Sequence, residues 1–69
     1  MGTLYRLKTL IEEHIEKNHL DAFRTKGALI LKTGIPLAMI NPNTPDNLEE
    51  IRRVRNAIKE VLGIDPPMV

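Results

Sequence analysis

The chain has 69 residues, enough for one small domain, and it carries a formal charge of +1 with 28% charged residues. A domain of this length buries only about 60% of the surface that its unfolded chain exposes, so its stability margin is narrow. The absence of cysteine excludes disulfide bonds, thiolate metal sites and cysteine nucleophiles. The balanced charge gives no general affinity for nucleic acid or for acidic membranes. We therefore predict a single small domain over residues 1–69.

The first segment, from Thr3 to about Asn18, has the periodicity of an amphipathic helix. Its apolar residues recur at spacings of three and four, which places them on one helical face. Thr3 is a candidate N-cap residue, because its hydroxyl can accept a hydrogen bond from a first-turn amide. The residues predicted to face the core are Leu4, Leu7, Leu10, Ile11, His14 and Ile15.

The middle segment, from residue 20 to residue 42, is compatible with two structures. In the favoured one, Asp21 caps a second helix that runs to about Lys32, Gly34 ends it, and one short helical turn follows before Pro42. Ala, Leu, Met and Lys dominate this segment and favour helix over strand, although Gly27 costs a helix about 1 kcal/mol relative to Ala. The face predicted to point inward comprises Leu20, Phe23, Gly27, Ile30 and Leu31.

The alternative structure of the middle segment is a β-hairpin. Residues 27–31 and 35–40 would form its two strands, with the turn at Thr33 and Gly34. The apolar residues run continuously through this segment, and periodicity alone does not assign such a run to helix or strand. The resulting fold would be α-β-β-α with a central hairpin at residues 27–40.

The last helix has a start signal, an apolar stripe and a stop signal. Thr44 is its candidate N-cap residue, Pro45 takes the first helical position, and acidic residues follow in the first turns. Gly63 is a left-handed stop and two prolines follow it, so residues 64–69 are predicted to be an extended tail. The stripe comprises Leu48, Ile51, Val54, Ile58, Val61 and Leu62. The predicted fold is therefore mainly α, a bundle of three to four short helices.

Side chains that carry catalysis are scarce in this chain. Serine and cysteine are absent, and neither His14 nor His19 has a carboxylate at a spacing typical of a proton relay. Glu16 and His19 have the Glu-x-x-His spacing of di-iron bundle proteins, but such a site needs two copies of the motif and the chain has one. We therefore expect a protein that is not an enzyme and that has no cofactor and no metal site.

A helix, a turn at residues 33–35, a short helix and a longer helix ending at Gly63 follow one another. This order resembles a helix-turn-helix domain over about half of the chain, and the resemblance implies binding to nucleic acid. The segment that would enter the major groove, residues 37–40, carries no donor or acceptor for base edges. Arg52, Arg55 and Lys59 form a cationic stripe on the last helix that can contact phosphates or an acidic partner.

The apolar residues of the middle segment exceed what two short helices readily bury, and small domains often complete their core by oligomerisation. We therefore predict a small non-catalytic protein–protein interaction or homodimerisation module, whose partner is a second copy or another protein. The alternative is a small nucleic-acid-binding regulator with a divergent helix-turn-helix. The predicted contact residues are the apolar Leu29, Leu31, Leu37, Met39 and Ile40 and the cationic Arg52, Arg55 and Lys59.

The sequence also bears on where the protein acts. It contains neither the apolar core of a signal peptide nor the roughly 20 apolar residues of a membrane span. The absence of cysteine fits a reducing compartment. We expect a cytoplasmic protein that does not bind membranes.

Overall fold

Three α-helices and one 3-10 turn make up the structure, a computed structural model that describes residues 2–66. The helices are α1 (Thr3–Lys17), α2 (Ala22–Thr33) and α3 (Leu48–Leu62), and the 3-10 turn (Leu37–Met39) lies between α2 and α3. No residue between 2 and 66 belongs to a β-strand. The predicted helical bundle is confirmed, and the hairpin at residues 27–40 is wrong, because residues 27–33 continue α2. Within the described residues, no helix is both long and apolar enough to cross a membrane.

A carboxylate from the loop before α3 holds the start of α1. The backbone amides of Thr3 and Leu4 donate to Asp46, at 2.9 Å and 3.1 Å. These two bonds, the one from Thr3 first, lower the pKa of the Asp46 carboxyl. The N-cap residue is Gly2, which has no side chain that could cap the helix. The predicted cap at Thr3 is therefore wrong, since Asp46 satisfies the first-turn amides from a distant part of the chain.

The end of α1 is a Schellman motif with His19 in the left-handed conformation, at φ 54°. The amide of Leu20 donates to the carbonyl of Ile15 at 2.9 Å, and the amide of His19 donates to that of Glu16 at 3.3 Å. Such bonds satisfy carbonyls that the last helical turn leaves without partners. The chain can therefore stop α1 sharply and begin α2 only a few residues later.

Both ends of α2 carry the predicted caps. The Asp21 side chain accepts a hydrogen bond from a first-turn amide at 3.0 Å, and Gly34, at φ 69°, ends the helix. The buried Thr33 hydroxyl donates to the carbonyl of Leu29 at 2.8 Å and accepts from the amide of Ile35 at 3.1 Å. This hydroxyl therefore ties the last turn of α2 to the loop that follows it.

Helix α3 begins later than predicted. Asn47 is its N-cap, and the Asn47 side chain accepts hydrogen bonds from two amides of the first turn. Thr44 and Pro45, predicted as the cap and the first helical residue, lie before the helix. The Thr44 hydroxyl instead accepts from the amide of Asn41 at 2.9 Å and closes a turn in the loop. The predicted end at Gly63 is confirmed, with φ at 69°.

The core lies between α1, α3 and one side of α2, and the segment around the 3-10 turn covers it. The contact between α2 and α3 is the most extensive of the helix pairs. The predicted stripe of α3 is buried or half-buried from Ile51 onward, but Leu48 at its start is exposed. The buried apolar side chains are Leu4, Leu7, Ile11, Ile15, Leu29, Ile35, Leu37, Ile40, Val54, Ala57 and Ile58.

The described part of the predicted tail packs onto the domain. Residues 64–66 form no helix, Ile64 is half-buried and Pro66 is buried. The Arg55 guanidinium donates to the carbonyl of Pro66 at 3.4 Å. The remainder of the predicted tail, residues 67–69, lies outside the described residues.

We expect Asp46→Asn to lower the thermal unfolding temperature and to flatten its dependence on pH between about 2 and 5. The pKa of Asp46 lies below its ordinary value of 3.8 in the folded chain. Its contribution to the free energy of unfolding is therefore complete above the unfolded pKa and is lost as the pH falls through the lowered one. Thermal melts across this range measure the effect. The matched control Glu13→Gln, on the exposed side of α1, should keep the wild-type pH profile; an unchanged profile in Asp46→Asn would contradict the capping role.

Candidate protein interaction surface

Helix α2 is apolar on two opposite sides, and the domain covers only one of them. The covered side contains Leu29, which is 0% exposed, and the buried Thr33. The other side, which we call the outer face of α2, consists of Phe23, Gly27 and Leu31, spaced four residues apart. The Phe23 side chain is 92% exposed and that of Leu31 is 87% exposed. The prediction that Phe23 and Leu31 point inward is therefore wrong, because the side that carries Leu29 packs on the core.

The outer face continues along α2 as a shallow apolar depression. Ala22, Phe23, Gly27 and Ile30 line it, together with the stem of Lys26. Ile30 is half-buried and also packs against the core, so the depression joins the outer face to the packed part of the domain. A contiguous exposed apolar patch on a small protein is typical of an interaction surface.

Two lysines mark the flanks of α2. The Lys26 ammonium donates to Glu12 of α1 at 3.1 Å, and the Lys32 ammonium donates to Glu60 of α3. The hydrogen bond from Lys32, together with its charge, lowers the pKa of the Glu60 carboxyl. Because both pairs are exposed, they add little to stability. Each pair places an opposite charge beside its lysine.

Gly27 has no structural role that the monomer explains. It sits in the middle of α2, where glycine costs about 1 kcal/mol relative to alanine. A Cβ placed on Gly27 would meet no atom within 4 Å, and its φ is not in the left-handed region. Neither crowding nor backbone conformation within residues 2–66 therefore requires glycine at this position.

The structure separates the predicted apolar contact residues into two groups. Leu29, Leu37 and Ile40 are buried core residues. Their assignment to a contact surface is corrected, because a side chain enclosed by its own domain has no area to offer a partner. Leu31 and Met39 are exposed, and only these two of the predicted apolar contacts are available on the surface.

The segment around the 3-10 turn is fixed on α1. The Lys8 ammonium donates to the carbonyl of Ile40 at 2.9 Å. Lys8, Ala38 and Lys26 are among the residues around a depression of about 10 Å³, which is room for about one water molecule. This depression is too small for a substrate. Met39, on the same 3-10 turn as Ala38, is exposed.

The predicted cationic stripe of α3 is partly engaged within the chain. Arg55 is half-buried and donates to the carbonyl of Pro66. The Lys59 ammonium lies 4.0 Å from the Asp65 carboxylate, in an exposed ion pair. Arg52 is exposed. The stripe therefore faces the segment that follows α3 as well as solvent.

The described residues contain no group of three or more His, Asp or Glu side chains placed to hold a metal ion. No family model matches the chain, and no curated protein or solved structure matches it. Any functional assignment therefore depends on the placement of the chain's own side chains, among which the outer face of α2 is the most exposed apolar feature described.

We expect Leu29→Ala to lower the free energy of unfolding by about 2–5 kcal/mol, because it leaves a cavity in the core. The matched variant Leu31→Ala should change it by less than about 0.5 kcal/mol, since Leu31 is exposed. Urea unfolding at submicromolar protein concentration measures both values on the monomer. Equal losses in the two variants would contradict this assignment of the two sides of α2.

Proposed function

We propose that this chain is a small non-catalytic homodimerisation module that associates through the outer face of α2. The observation that carries the proposal is the exposure of Phe23 and Leu31 on one face of a helix that is capped at both ends. A surface helix typically carries its apolar residues on the side that faces the core and polar residues on the opposite side. Here the covering of one side is missing, and a second copy of the same face would supply it.

The energetics favour a weak, concentration-dependent dimer. Full burial of a Phe or Leu side chain contributes about 1.5–3 kcal/mol, and a symmetric dimer buries Phe23 and Leu31 from each copy. The lost translational and rotational freedom of association, about 4 kcal/mol or more, offsets part of this gain. One helical face is also smaller than the roughly 800 Å² per partner of a standard interface. We expect a dissociation constant of about 1–100 μM.

The remaining surface supports a protein contact rather than nucleic-acid binding. Two of the three stripe residues, Arg55 and Lys59, contact the chain's own Pro66 and Asp65. The element corresponding to a recognition helix is a single 3-10 turn of three residues whose Leu37 is buried. A divergent helix-turn-helix would therefore present neither base-reading side chains nor a fully available phosphate-binding stripe.

We expect Phe23→Glu to remain folded and to become monomeric, because it places a charge in the centre of the proposed contact. Sedimentation equilibrium from about 5 μM to 1 mM, at low and high salt, measures the dissociation constant. The matched control Leu48→Glu changes an exposed leucine at the start of α3, 84% exposed, and should keep the wild-type constant. Circular dichroism checks that both variants retain their helices.

Three results would overturn the proposal. A wild-type chain that is monomeric up to 1 mM would exclude homodimerisation of functional strength. A dimer lost in Leu48→Glu but not in Phe23→Glu would move the interface away from α2. Salt-sensitive binding of mixed-sequence DNA or RNA by a monomeric chain, abolished when Arg52, Arg55 and Lys59 are replaced by Glu, would favour the nucleic-acid regulator instead.

A further inference from the structure

We infer that the two copies pair with their α2 helices antiparallel and with Gly27 of each copy facing the other on the two-fold axis. The inference rests on the proposed homodimerisation and adds the orientation and register of the contact. It comes from three independent features of α2: the spacing of its exposed apolar residues, the unexplained glycine and the position of Arg24.

The outer face of α2 has a pattern that is complementary to its own inverted copy. Phe23 and Leu31 each lie four residues from Gly27, which places them about 6 Å to either side along the helix axis. A step of four residues turns the helix by about 40° beyond one full turn, so the two side chains lean to opposite sides of Gly27. In an antiparallel pair centred on Gly27, Phe23 of one copy therefore lies beside Leu31 of the second copy, without collision.

Gly27 allows the two helices to approach closely at the point where they cross. A residue without a Cβ lets another backbone pack directly against it, which is one of the main structural uses of glycine. The monomer leaves the space around Gly27 open and gives no other reason for glycine in mid-helix. Gly27 is also the centre of the exposed apolar pattern. The close approach and the pattern therefore place the two-fold axis at the same residue.

Charge favours the antiparallel orientation over the parallel one. Arg24 is exposed and lies in the first turn of α2, near the positive end of its helix dipole. An antiparallel neighbour brings the negative C-terminal end of its own α2 toward Arg24, whereas a parallel neighbour brings a second positive end. Lys26 and Lys32 add little repulsion between the copies, because Glu12 and Glu60 of the same chain pair with them.

Disulfide trapping distinguishes the orientations, because the natural chain has no cysteine. In the antiparallel pair a mixture of Phe23→Cys and Leu31→Cys chains should form a mixed disulfide under mild oxidation. Each variant alone should react about tenfold or more slowly, since equivalent residues then lie about 12 Å apart along the axis and a disulfide needs Cα atoms within about 7 Å. Leu48→Cys, exposed elsewhere, gives the rate of random collision. Non-reducing electrophoresis and mass spectrometry identify the products.

Gly27→Ala tests the close approach by two effects of opposite sign. The added methyl group should raise the thermal midpoint of the dilute monomer, because alanine favours helix. It should also raise the dissociation constant of the dimer by about tenfold or more, because it separates the backbones at the axis. A stabilised monomer with unchanged dimerisation would overturn the placement of Gly27 on the axis.

The outcomes separate this inference from the proposed function. Rapid disulfide formation by Phe23→Cys alone and also by Leu31→Cys alone shows a parallel dimer, which overturns the orientation and leaves homodimerisation standing. Rapid formation by only one of the two shows an antiparallel pair centred on that residue, which overturns the placement of Gly27 on the axis. A wild-type dimer in which none of the α2 cysteines reacts faster than Leu48→Cys overturns both the orientation and the α2 interface. A wild-type chain that is monomeric at all concentrations overturns the proposed function itself, even if the cysteine variants cross-link slowly by random collision.

Discussion

A three-helix domain of 69 residues cannot cover a short helix on all sides, and this constraint decides what the molecule exposes. Helix α1 and helix α3 each direct one apolar stripe to the core, whereas α2 carries apolar residues on two sides. Packing Leu29 and Thr33 against the core leaves Phe23 and Leu31 in water. Surface-to-volume scaling limits how much apolar surface a chain so short can bury. The candidate site is therefore a direct consequence of the fold.

Several signals that act within a few residues predict the structure correctly. Asp21 caps α2, Gly34 and Gly63 end their helices in the left-handed conformation, and the sequence-based choice of helix over hairpin holds. The start of α3 is predicted wrongly, because the loop residues before it have the composition of a helix start but make turn or tertiary contacts instead. Asp46 accepts bonds from the first turn of α1, and Thr44 closes a turn. Asn47 caps α3 instead.

The sequence does not show which of the two apolar sides of α2 packs on the core. Both sides satisfy helical periodicity, so the sequence shows that surplus apolar surface exists but not which part of it is free. The choice depends on where α1 and α3 lie, and in the folded chain Lys26 pairs with Glu12 of α1 and Lys32 with Glu60 of α3. Leu29, predicted as a contact residue, is consequently buried, and Phe23, predicted to point inward, is exposed. The surplus of apolar residues predicted that some of them would be exposed, and Phe23 and Leu31 are.

Gly27 connects the stability of the monomer with that of the proposed dimer. A glycine in mid-helix weakens α2, and a domain of this size has little stability to lose. Association that binds only the folded chain raises the free energy of unfolding in proportion to the logarithm of concentration. The same residue that weakens the isolated domain would then allow the closest contact in the dimer. On this view the domain is most stable at concentrations where it is paired, and folding and association of the chain are coupled through a single helix.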